Sequence, residues 1–84
     1  MFIHLGKDYT VNSKNIIAIF DIENTSTSKI TREFLVDMSK KNKVIYVNDD
    51  LPKSFVLTKD KEGSIIYVSS LSSATLKKRS ESYI

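Results

Sequence analysis

The chain contains no cysteine, which excludes disulfide staples, thiolate metal sites and thiol nucleophiles together. It has one histidine, His4, and its acidic residues are scattered. Zinc sites gather about three or four nitrogen, sulfur or carboxylate ligands at close spacing, so this inventory argues against a structural metal. Glycine is scarce: Gly6 and Gly63 both fall in expected turns, whereas a phosphate-cradling loop needs several. No sharp strand-to-helix turn with flanking glycines presents a serine as a nucleophile. The single proline, Pro52, cannot donate to a sheet ladder, which puts Leu51-Pro52 in a loop or at the first position of a strand. No apolar run approaches the ~20 residues of a membrane helix, and Met1-Phe2-Ile3-His4 is not a basic leader. The expectation is a cytoplasmic, soluble protein that is not an enzyme. It is expected to have no catalytic residue, no metal, no cofactor, no membrane contact and no small-molecule substrate.

What is present is dominated by one stretch, Asn15 to Ile22. Ile16, Ile17, Ala18, Ile19 and Phe20 form an unbroken run of β-branched and aromatic character, the pattern of a strand covered on both faces. With 84 residues and 9.6 kDa the chain is one domain, residues 1–84, in the range where a single core is marginally stable alone. So short a chain has few elements with which to cover two faces. A second copy of the protein is therefore expected to supply one cover, and oligomerisation to add buried area.

Elsewhere, Phe2 to Leu5 and Tyr9 to Val11 read as short strands joined by a turn at Gly6-Lys7-Asp8. The polar run Glu23 to Ser28 is a surface loop or a string of helix N-caps. Ile30, Phe34 and Met38, with Leu35 beside them, define the inner stripe of an amphipathic helix over residues 29–41. Asn42 is expected to end it in a left-handed conformation, with Lys40, Lys41 and Lys43 complementing the negative pole. Val44 to Val47 is a second apolar strand. Lys53 to Thr58 alternates, with Phe55 and Leu57 on one face and Ser54, Val56 and Thr58 on the other. A charged hairpin tip ending in Gly63 leads into Ile65-Ile66-Tyr67-Val68. Ser72 or Ser73 caps a short C-terminal helix that turns Leu76 inward. The fold class is α+β: a small, mostly antiparallel sheet of about five or six strands, one amphipathic helix packed on it and a short C-terminal helix.

The formal charge is +3 with a pI near 9.2. Acids and bases are mixed almost everywhere, so the unbalanced cations carry the signal. They are Lys7, Lys14, Lys53 and the cluster Lys77-Lys78-Arg79, with serines and threonines nearby, the residue types that contact phosphates. Asp49-Asp50 are turn residues rather than a cation site.

Four separated segments also carry a family resemblance. Met1 to Gly6, Asn15 to Asp21, Tyr46-Val47-Asn48 with Pro52-Lys53-Ser54, and Leu71 to Arg79 resemble, in the same order, the RemB (YaaB) family. These small Firmicutes proteins are named extracellular matrix regulatory proteins and are related to the biofilm regulator RemA. The resemblance implies a non-enzymatic regulator of matrix and biofilm genes. It further implies a ring of identical subunits that binds double-stranded DNA through basic side chains, with Lys14, Lys53, Lys77, Lys78 and Arg79 as the phosphate contacts here. RemA-like sequences carry two arginines in the loop that here reads Asp49-Asp50-Leu51-Pro52-Lys53, a departure that weakens phosphate capture. The alternative is an oligomeric protein-interaction or scaffold module that does not bind DNA directly. A small-ligand sensor has no sequence motif behind it and rests only on pockets that a ring might enclose.

Overall fold

Local chemistry explains most element boundaries in the structure, a computed structural model that describes residues 2–23 and 28–81. Strands β1 (Phe2–Gly6) and β2 (Tyr9–Asn12) form an antiparallel hairpin. Its turn needs left-handed backbone, supplied by Gly6 at φ +130° and Lys7 at φ +45°. His4 Nε2 donates to the Lys7 carbonyl across that turn. The ladder shifts register between His4 and Gly6, leaving Leu5 without an opposite partner. A 3-10 turn, Ser13–Asn15, is capped by Asn12, whose Oδ1 accepts from the Lys14 amide at 3.1 Å. It leads into β3 (Ile16–Asp21).

Helix α1 (Ser28–Ser39) follows; residues 24–27 of the expected loop or N-cap run lie outside the described residues. The helix stops earlier than its charge pattern suggests because both the Lys41 and Asn42 amides converge on the Met38 carbonyl, at 3.1 and 3.0 Å. Asn42 is not left-handed. It ends the helix through its side chain, Nδ2 donating to the same Met38 oxygen at 2.9 Å. Then come β4 (Lys43–Tyr46), β5 (Ser54–Asp60), β6 (Gly63–Ser69) and α2 (Ser73–Glu81). Ser72 caps α2, its Oγ accepting from the Thr75 amide at 3.1 Å.

The main sheet has the order β3-β5-β6-β4. β3 is antiparallel to β5, β5 to β6, and β6 is parallel to β4. β3 and β4 therefore run the same way at opposite edges, because α1 carries the chain across the sheet between them. The architecture is α+β, with six strands in two sheets.

Two apolar clusters lie on the two faces. The alternation read in β5 sorts them: Phe55 and Leu57 join Ile22, Ile66 and Val68 beneath Leu35 and Met38 of α1. Val56 joins Ile3, Leu5, Val11, Val47 and Leu76 on the other face, under the hairpin and α2. The inner stripe of α1 differs from its expected form: Leu35 and Met38 pack inward, Phe34 reaches sideways to Phe20, and Ile30 is 71% exposed.

β3 meets both clusters. Ile16 and Ile19 pack into one cluster and Phe20 into the other, stacked on Phe55 at 4.5 Å, but the cover is partial: no residue of β3 is buried and Ile17 is 58% exposed. Within one chain that partial cover comes from α1 on one side and from the hairpin and α2 on the other. What β3 lacks is a neighbour along its outer edge among the described residues. The strand buried throughout most of its length is β5, which lies inside the sheet.

Candidate nucleic-acid interface

Each cation expected to contact phosphate is held by a different local device. Lys14 projects, exposed, from the 3-10 turn that Asn12 caps. Lys53 is exposed too, yet its backbone is pinned: its amide donates to the Ser69 carbonyl and its carbonyl accepts from the Ile22 amide, both at 2.9 Å. Lys77 and Lys78 are exposed on α2, which buried Leu76 locks to the hairpin face of the sheet. Arg79 is half-buried, and its guanidinium donates to the His4 carbonyl at 2.8 Å. Three consecutive helical residues sweep most of a helix circumference, so one of them had to meet the surface beneath. Arg79 is that residue.

The five do not form one patch within a subunit. Asp21 pairs with Ser54 and Ile16 with Thr58, so Lys53 and Lys14 sit beyond opposite ends of the β3–β5 ladder. Roughly 20 Å of strand separates them at about 3.3 Å per residue. The tail cations come from a third element.

The fold also brings in a cation that spacing could not reveal. Arg32, on the polar side of α1 in the sequence pattern, lines a depression of about 270 Å³ together with Lys53, Ile22, Glu23, Leu51 and Pro52. Nothing in a separation of twenty-one residues signals that meeting; it follows from α1 crossing the sheet end where β3 finishes. Among the described residues no cluster of three or more His, Asp or Glu side chains could hold a metal ion, and no helix is long and apolar enough to cross a membrane. The phenol of Tyr67 has a displaced pKa. Burial, then the neighbouring Asp60, then Tyr9 raise it above the ordinary phenol value. Tyr9 meets its ring edge-on at 6.2 Å.

Fold and surface together define a small α+β protein that presents fixed cations from a turn, a loop and a helix, outside its two apolar clusters. The chain belongs to the RemA-like family: the model of that family, described as extracellular matrix regulatory protein A-like, matches residues 2–79. It is similar to extracellular matrix regulatory protein B of Bacillus subtilis (strain 168), with 43% identity over 81 residues, covering 96% of this chain and 91% of that protein. The resemblance read from the four segments thus holds over nearly the whole length. The family is one of regulatory proteins, and a regulatory role follows for this chain.

Proposed function

We propose that the chain is a cytoplasmic, non-enzymatic transcriptional regulator of extracellular matrix and biofilm genes that acts as a homo-oligomer, a ring, and grips duplex DNA through phosphate contacts. The observation that carries the reading is the state of α2: Lys77 and Lys78 are exposed on a helix that is capped at one end and locked by Leu76. A helix held in this way presents both ammonium groups from a backbone that need not reorder when they meet phosphate, although the lysine side chains still lose rotamer freedom. One subunit offers few such contacts, set far apart, and copies in a ring would repeat them around a continuous duplex so that weak contacts act together. The unpaired edge of β3 and the edge strand β4 are where copies could join.

Fluorescence anisotropy with a labelled duplex across a salt series tests the reading. Affinity is expected to fall steeply with salt, and the doubly reversed Lys77→Glu, Lys78→Glu chain to bind at least tenfold more weakly with a shallower salt slope. If the reversed chain bound as tightly as the parent, the tail would not be the contact.

A second reading, a scaffold that docks on another protein, is favoured by exposed apolar side chains such as Ile30 on α1 and Tyr46 on β4. Light scattering with and without duplex at low salt separates the two. An oligomer whose mass ignores DNA is a scaffold.

A further inference from the structure

On the α1 side of the sheet, where β3 and β6 end, the chain leaves a hollow of about 220 Å³. Ile22 and Val68, both nearly fully buried, form its depth; Leu35 of α1, Tyr46 and the loop residues Leu51 and Pro52 wall it. Leu51 is 81% exposed and Tyr46 64%, so two large apolar side chains face water at the rim of an apolar recess. Arg32 lines this hollow and also the adjoining depression where Lys53 and Glu23 lie. In the lining of that depression two cations stand beside one carboxylate.

We propose that this hollow binds a small amphipathic carboxylate, its aliphatic body against Ile22, Leu35, Tyr46 and Leu51 and its carboxylate on Arg32 with Lys53. Three features lead to that chemistry. The recess is apolar at depth and polar at one side only, the layout of a ligand site that orients its occupant. The guanidinium of Arg32 offers a planar donor fork suited to a carboxylate. The volume sets the size: an apolar cavity of about 150 Å³ holds a benzene ring, so this one takes a chain of about six to eight carbons. Ile22 just past β3, with residues of α1, β4, the 47–53 loop and β6, all contribute, which is why no sequence motif marks the site. The proposal does not rest on DNA binding, and its test uses no DNA; Tyr46 lies on the edge strand β4, so the test also watches for a second copy in the hollow.

The test is a ¹H–¹⁵N NMR titration of the purified chain, without DNA, using sodium butanoate, hexanoate and octanoate, with octylamine and 1-octanol as controls. Saturable shifts are expected at the amides of Ile22, Leu35, Leu51 and Lys53, with affinity rising about fourfold per methylene. Octylamine is expected to bind about tenfold more weakly than octanoate. Arg32→Gln should weaken octanoate about tenfold and leave 1-octanol unchanged, while Leu51→Ser weakens both. Arg32 and Leu51 are exposed, so both variants keep the fold, and their spectra report it directly. Absence of saturation, equal binding of octylamine and octanoate, or an Arg32→Gln chain that binds octanoate like the parent would each overturn the proposal. So would ligand-free shifts at these amides that grow with protein concentration and resist octanoate, because a second copy would then be the occupant.

Discussion

Replacing Ser69 by alanine removes one oxygen atom from the protein and should cost a large part of its stability. Ser69 is 1% exposed, and its hydroxyl joins β6 to two other segments. Oγ donates to the Leu5 carbonyl at 2.7 Å and accepts from the Leu71 amide at 3.0 Å. The Leu5 bond matters most, because the register shift in the hairpin leaves Leu5 without an opposite residue in the β1–β2 ladder and Leu5 is itself fully buried. In the Ser69→Ala chain that buried carbonyl loses its hydroxyl donor. Losing the hydrogen bond costs about 1 kcal/mol and stranding a buried acceptor about 1–3 kcal/mol, overlapping to roughly 2–3 kcal/mol. The half-buried Leu71 amide can turn to solvent and adds little. A domain of this length has a total stability of roughly 5–10 kcal/mol, and at about 4–8 °C per kcal/mol the melting point should fall by about 10–20 °C. Urea unfolding followed by far-UV circular dichroism measures the loss, with an unchanged m-value showing that the unfolded reference has not moved. Ser39→Ala serves as the control: its hydroxyl also makes a 2.7 Å bond, to the Val36 carbonyl, but on the exposed side of α1. A Ser69→Ala loss no larger than that of the control, below about 0.5 kcal/mol, would refute the claim that this buried hydroxyl ties the hairpin to the sheet.

Three other outcomes follow from the packing. Leu76→Ala empties a fully buried position where α2 meets the hairpin and Val56, and should lower stability by about 2–5 kcal/mol, with faster amide exchange in α2 than in β5. Gly6→Ala forces a side chain onto φ +130° with its Cβ 3.1 Å from Val47 Cγ1; a loss of about 1–3 kcal/mol by thermal melting is expected. Tyr67, whose pKa is raised by burial first and then by Asp60 and Tyr9, favours its neutral form in the folded state. Its contribution is therefore whole below the unfolded phenol value of about 10 and is lost as pH climbs through the higher folded value. The Tyr67→Phe chain should lose less stability than the parent between about pH 9 and 11, and parallel melting curves in that range would refute the assignment.

Much of the local structure is legible because it depends on neighbours in sequence. The hairpin turn at Gly6, the Ser72 cap, inward Leu76 and the alternating faces of β5 all follow from short-range backbone and side-chain chemistry. The register of β5, with Phe55 and Val56 on opposite faces, survives intact because a strand's period of two leaves no freedom once one face is buried. Ile30 illustrates the opposite case. Its spacing from Phe34 and Met38 places it on the apolar stripe, yet it is 71% exposed, and no periodicity reports where a partner surface stops. Asn42 ends its helix, as its residue type suggests, but by a side-chain bond to Met38 in place of a left-handed backbone.

The composition decided what chemistry was out of reach for thiols and glycine-rich loops, and the order of polar and apolar residues decided which segments would be strands, which helices, and which faces would seek cover. The tertiary structure alone decided who covers whom. It placed β3 at an edge and β5 inside, gave each face of the sheet a cover from the same chain, set Lys14 and Lys53 at opposite ends of a ladder, and brought Arg32 across the sheet to Lys53 beside an apolar hollow. The physical reason is range. Hydrogen-bonding caps and side-chain periodicity act over a few residues, whereas strand order and the meeting of distant cations depend on how α1 crosses the sheet, a choice made by packing between segments twenty or more residues apart.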